Sequence, residues 1–168
     1  MHDPPPLSVQ ALTDETIKDA VKMWCKGGGD REAVVARFGE IGDWNVRAVT
    51  SFRCLFNGQE DFNEDISRWD TSNVTNMACT FQFASSFNQP LERWNTAKVT
   101  TMGCMFECAS SFDQPLEGWN VANVTTMGFM FANASSFDQP LEGWNVANVR
   151  IMSNMFHNAP CQKPSWYH

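Results

Sequence analysis

Tryptophan recurs every 25 residues along this chain, at Trp44, Trp69, Trp94, Trp119 and Trp144, and the intervening residues recur with it. A fixed period of this length marks units that cannot bury an apolar face alone and must stack on their neighbours. The unit is read most clearly from Trp94 to Gly118, after which the next begins at Trp119.

Within that unit Val99, Met102, Phe106 and Ala109 are spaced three, four and three apart. The spacing predicts one apolar side of a short helix. Ser110 and Ser111 then break the pattern, and Phe112 to Trp119 reads as an extended segment carrying Leu116. Pro115 lacks a backbone donor, so a regular ladder is expected over only a few residues beside it.

Stacked units would align like residues in columns. One column is Phe56, Phe81, Phe106, Phe131 and Phe156; another is Phe62, Phe87, Phe112 and Phe137; methionine, valine and leucine columns accompany them. Six large buried side chains per unit contribute on the order of 10 kcal/mol before chain entropy is subtracted. The fold class expected is an α/β repeat, a leucine-rich-repeat-like right-handed solenoid of about five units, each a short strand plus a short helix.

The chain divides into a Pro-rich lead (1–12), an N-terminal two-helix cap (13–43), a five-repeat stretch (44–158) and a C-terminal tail or cap (159–168). Thr13 is the expected N-cap of the first helix, with Ile17, Ala20, Val21 and Trp24 at helical spacing. Gly27, Gly28 and Gly29 are expected to end it and Asp30 to cap the second. The formal net charge of −7 opposes nucleic acid or an anionic membrane as partner. No stretch has the roughly 20 apolar residues of a membrane span, so no membrane insertion is expected. Met1 to Pro6 shows neither the basic nor the apolar region of a signal peptide.

The string Val-Thr-x-Met-x-x-Met-Phe-x-x-Ala-x-x-Phe at 99–112, with Phe-Asn-Gln-Pro-Leu-Glu-x-Trp at 87–94, resembles leucine-rich-repeat surface proteins of the BspA and mycoplasma lipoprotein type. The resemblance spans Trp44 to Phe156. It implies a right-handed solenoid at a cell surface or secreted, associated with adhesion and protein binding and without a defined enzymatic activity.

Cys54, Cys79 and Cys104 share one column, which suits small buried thiols or, at the 4.7–4.9 Å spacing of stacked strands, a bridge between neighbours. Phe129 takes the same column in the next unit and points to an apolar environment. Cys104 and Cys108 lie four apart, but no histidine or second cysteine pair completes a zinc pattern. No metal or other cofactor is expected. Asn73, Asn123 and Asn133 head glycosylation acceptor triplets.

Three functions are compatible with these residues. The first is a non-enzymatic protein–protein interaction or scaffold module, serving surface adhesion or a larger assembly through a protein partner. Its candidate surface comprises Asn63, Asn88, Gln89, Glu92, Asp113, Gln114, Glu117, Asp138, Gln139 and Glu142. The second is an ice- or crystal-binding surface on the threonine column Thr50, Thr75, Thr100 and Thr125, residues that would otherwise cap the helices. The third is an enzyme, for which a deep pocket between the helical cap and the first unit would be the sign.

Overall fold

The computed structural model describes residues 10–168, so most of the Pro-rich lead lies outside it. Two helices come first: α1, Ile17–Lys26, and α2, Gly28–Phe38, followed by a single 3-10 turn at Ile41–Asp43. Ile17, Ala20, Val21 and Trp24 form the buried stripe of α1, and Val34 and Phe38 that of α2. The break between them is narrower than three glycines suggest. Gly27 alone, at φ 76°, separates the helices, and Asp30 sits inside the first turn of α2.

Thr13 does not cap a helix starting at once. The chain makes a turn first, α1 begins at Ile17, and the turn frees Asp14 to reach the first repeat. The Asp14 carboxylate accepts hydrogen bonds from the Thr50 amide (2.8 Å), the Thr50 hydroxyl (2.6 Å) and the Ser51 amide (3.0 Å). Partial burial works against the ionised form, but these hydrogen bonds and Lys18 outweigh it and hold the carboxyl below the ordinary carboxylate range. The latch is therefore complete above the unfolded value of about 3.9 and lost as pH falls through the native value. Acid titration followed by NMR is expected to release the Thr50 and Ser51 amide signals together, and Asp14→Asn should remove that step.

The repeats form a stack of five coils, but they are not strand-plus-helix units. Among the described residues the only strand-like pairings are isolated parallel bridges joining Ser51, Asn76, Thr101, Thr126 and Ile151, and no repeat contains a helix. The expected leucine-rich-repeat-like right-handed α/β solenoid is thus overturned. The cause is the backbone. Cys54, Cys79, Cys104, Phe129 and Asn154 all have φ of 55–58°, and four residues later Gly58, Phe83, Cys108, Asn133 and Asn158 are left-handed too. A left-handed residue every fourth position prevents the i to i−4 bonds of an α-helix.

What replaces the helix is an alternation of donors. In the first coil the amides of Phe52, Cys54, Phe56 and Gly58 donate to the carbonyls of Asn76, Ala78, Thr80 and Gln82 in the next coil, at 2.8–3.0 Å. The amides of Leu55 and Asn57 turn back to Phe52 and Cys54 within their own coil. The same four rungs recur at every interface, ending with Met127, Phe129, Phe131 and Asn133 on Ile151, Ser153, Met155 and His157. Four rungs supply about 2 to 6 kcal/mol per interface, against about 2 to 4 for two left-handed residues. The apolar columns add to this margin.

The Phe56 column stacks at centroid spacings of 5.3, 5.5, 5.6 and 5.8 Å, with planes within 9° of parallel. The Phe62 column runs beside it, and Phe106 and Phe112 of one coil stack at 4.0 Å. Four of the repeat tryptophans also donate their indole N–H to a carbonyl 28 residues back, Trp69 to Ile41, Trp94 to Ile66, Trp119 to Leu91 and Trp144 to Leu116, while Trp44 donates to Gly39. The ring is thereby oriented as well as buried.

Both ends of the stack are covered. Trp24 and Phe38 pack edge-on against Trp44, and Trp166 takes the place a sixth repeat tryptophan would occupy. It stacks on Trp144 at 6.4 Å and donates to the Leu141 carbonyl at 3.1 Å. Trp166 and Tyr167 of the final segment also pack against Phe156 of the last coil.

Candidate interaction surface

The polar residues that recur most faithfully are occupied in holding coil to coil. The Asn63 side-chain oxygen accepts from the Asn88 amide and the Gln89 side chain; Asn88 does the same for Asp113 and Gln114; Asp113 does it for Asp138 and Gln139. All six distances are 2.9 or 3.0 Å. These bonds lie beside Pro90, Pro115 and Pro140, where the backbone cannot continue its own ladder. Asn88→Ala leaves two donors of the next coil without a partner and is expected to destabilise the protein by about 1–3 kcal/mol in urea unfolding.

Of the remaining candidates, Glu92 and Glu117 are exposed. Glu142 is engaged by the tail, accepting from the Ser165 amide at 3.0 Å and from its hydroxyl, which lowers its carboxyl pKa. The candidate residues do lie along one side of the stack, but most are tied to each other.

A different face has the character of a docking surface. It is built by the hydrogen-bonded rungs, and its outward positions are Ser51, Arg53, Cys54, Asn57 and Gly58 with their equivalents in the later coils. Phe83, Phe129 and Ile151, exposed by 46%, 39% and 52%, are the large exposed apolar residues among those described, and all three stand on this face. Around them the small residues Ala78 and Gly103 are half-buried, Gly128 and Ala132 are buried beneath their neighbours, and Arg53 and Glu107 are its full charges. Its rim is polar, with Asn57 at one end and Asn154, His157 and Asn158 at the other.

The cysteine column belongs to this face and not to the core. Cys54 is exposed, and Cys79, Cys104 and Cys108 are half-buried and free. Desolvation, then Glu107, pushes the Cys104 thiol up to about 12, so it is protonated near neutral pH. The left-handed backbone turns this column outward, a feature that hydrophobicity at Phe129 concealed. The available signal was divergence: the column reads Cys, Cys, Cys, Phe, Asn and its neighbour Gly, Phe, Cys, Asn, Asn, while core columns hardly change.

The other candidate features are accounted for locally. A cleft of about 420 Å³ does separate the helical cap from the first coil, lined by Trp24, Cys25, Arg31, Phe62 and Glu64 among others. Arg31 is engaged there, bonded to Glu64 at 2.9 Å and seated 3.8 Å over the Trp24 ring. Burial, then Glu64, pushes the Cys25 thiol up to about 11, which makes it a poor nucleophile. Thr75, Thr100 and Thr125 do not cap helices. Their hydroxyls donate to the carbonyl of the preceding threonine at 3.1–3.3 Å, and Arg150 ends the column. Asn73 and Asn123 donate side-chain N–H groups to Arg47 and Ala97. Among the described residues no group of three or more potential ligands is placed to hold a metal ion, and no helix is long and apolar enough to cross a membrane.

Fold and surface together define a stack of turn-built coils with one divergent, partly apolar face. The chain belongs to the family described as Mycoplasma protein of unknown function, DUF285, whose model matches residues 31–131 and again 109–165. The second match starts within the first, as a repeated unit would produce. No curated protein and no solved structure matches the chain.

Proposed function

We propose that this protein is a non-enzymatic protein-binding module, acting in surface adhesion or as a structural part of a larger assembly, and that the rung face is its docking surface. One observation carries the reading: the exposed large apolar side chains are gathered on the face where the repeats diverge. A core position in a stack must keep its residue to match its neighbours, whereas an exposed position is free to specialise. Rings surrounded by small residues and a polar rim are the composition of a protein interface. The mycoplasma family match and the resemblance to BspA-type surface proteins support a setting at a cell surface.

The test uses substitutions that separate binding from folding. Phe129 holds a left-handed backbone, which costs a phenylalanine about 1–2 kcal/mol and asparagine less. Phe129→Asn is therefore expected to raise the melting temperature by about 2 °C or more while weakening a purified native partner at least about tenfold by calorimetry. Phe83→Asp should weaken it similarly. Reversing the charge of Glu92 and Glu117 should leave binding within about twofold. Unchanged affinity in both phenylalanine variants would remove the rung face from the function.

A further inference from the structure

Cys54, Cys79 and Cys104 hold the same position in three successive coils, and their backbones nearly coincide, at φ of 56°, 57° and 56°. Each is locked in register with the coil that follows, the three amides donating to Ala78, Gly103 and Gly128 at 2.9–3.0 Å. Rungs of this kind set neighbouring strands about 4.8 Å apart. Adjacent members of the column therefore have Cα atoms inside the roughly 4.4–6.8 Å that a disulfide spans, whereas Cys54 and Cys104, two coils apart at about 9.6 Å, lie outside it. The Cys79 thiol interacts with the thiols of both neighbours. Phe129 and Asn154 take the position in the last two coils, and Cys108 has Phe83 and Asn133 on either side, so pairing within a column is confined to these three.

We propose that the column is a thiol–disulfide redox site in which Cys79 is the shared sulfur, bonding to Cys54 or to Cys104 but not to both, with a low-molecular-weight disulfide as its oxidant. Cys54 is the point of entry, since it alone of the three is exposed. Its thiolate attacks one sulfur of the small disulfide RSSR, forming a mixed disulfide and releasing RS⁻. Cys79 then attacks the Cys54 Sγ, which forms the Cys54–Cys79 bond and releases the second RS⁻. Two protein thiols have lost two electrons and two protons, and one RSSR has become two RSH.

The third sulfur adds a step with no net redox change. Cys104 attacks the far side of the Cys79 Sγ, the Cys54–Cys79 bond breaks, and Cys54 regains its proton as Cys79–Cys104 forms. Exchange at sulfur runs in line from attacking to central to leaving atom, and a straight column of coils supplies that alignment. Burial raises the Cys79 thiol and pushes Cys104 up to about 12, so the thiolate fraction is small and both steps quicken as pH rises. In-register spacing holds the Cβ atoms wider than the mean of about 3.8 Å in disulfides, so closing the bond strains the rung and the product is readily reduced. The site is reversible, and it does not depend on the docking role of the rung face.

The test is to treat the reduced full chain with glutathione disulfide at about pH 8, block remaining thiols, and map linked peptides by tandem mass spectrometry without reduction. Cys54–Cys79 and Cys79–Cys104 links are expected, with no Cys54–Cys104 link, and excess reduced glutathione should return all three thiols. Asparagine suits the variants, because Asn154 adopts the same backbone in this column, at φ 55°. Cys79→Asn should abolish both links and leave Cys54 joined to glutathione. Cys104→Asn should retain Cys54–Cys79, and Cys54→Asn should slow formation of Cys79–Cys104 about tenfold or more, through loss of the exposed entry thiol. Near-UV circular dichroism confirms that each variant remains folded. In denaturing urea new pairs should appear, Cys104 with Cys108 among them. Glutathione accumulating on Cys54 of the parent protein without any link to Cys79 overturns the proposal, as does a Cys54–Cys104 link in the folded chain or a folded map identical to the unfolded one.

Discussion

Replacing Phe106 with alanine is expected to destabilise the protein by about 4 kcal/mol, among the largest effects of any single substitution in the stack. Phe106 is fully buried and its ring stacks on Phe81, Phe131 and Phe112, at 5.5, 5.6 and 4.0 Å. The cavity cannot collapse, because the rungs on either side fix the spacing of the coils; the Phe106 amide itself donates to Met130 at 2.8 Å. Urea unfolding should show the midpoint shift. Native-state hydrogen exchange should show more: amides of Phe81 and Phe106, at the two interfaces of the third coil, losing protection together. The equivalent Phe156→Ala, at the end of the column, has one stacked phenylalanine neighbour and should cost less.

The sequence exposed the periodic part of this architecture far better than the local backbone. A core column needs the same residue in every coil, so Phe56 through Phe156 and the tryptophans register as a visible period. The path between them is set by backbone dihedral angles, which leave a weaker trace. Val99, Met102, Phe106 and Ala109 do point inward, as a helix would place them, but the two left-handed residues at Cys104 and Cys108 satisfy the same spacing by a chain of turns. Glycine would have advertised those positions; of the ten, only Gly58 is one.

The candidate surface shows the same asymmetry. Repetition of Asn88, Gln89, Asp113 and Gln114 suggested a shared exposed function, yet repetition among polar residues here has the cause it has among apolar ones. Each side chain must match the coil above. Residues used for recognition are released from that requirement, so Phe83 and Phe129 carry no periodic signal. In a stack of near-identical units, departures from the consensus at exposed positions are the better guide to a binding site.

Removing the C-terminal cap should have the second large effect. Trp166→Ala withdraws the ring stacked on Trp144, leaves the Leu141 carbonyl without its indole donor, and uncovers one side of Phe156, whose centroid lies 6.4 Å from that of Trp166. The lost aromatic burial alone corresponds to about 3 kcal/mol. The consequence for solubility is larger than this figure implies. Among the described residues the amides of Met152, Asn154, Phe156 and Asn158 hold the rung positions but donate to no backbone carbonyl, which leaves an edge there. With the cap displaced, that row of donors adjoins newly exposed apolar surface, the combination that invites strand-like addition of other chains. Light scattering on heating should show Trp166→Ala aggregating well below the unfolding temperature of the parent protein. Trp166→Phe retains the stacking ring without the indole donor and should remain soluble, with a smaller loss of stability of about 1 kcal/mol. Equal aggregation of the two variants would mean that the hydrogen bond to Leu141, and not the ring, keeps the cap in place.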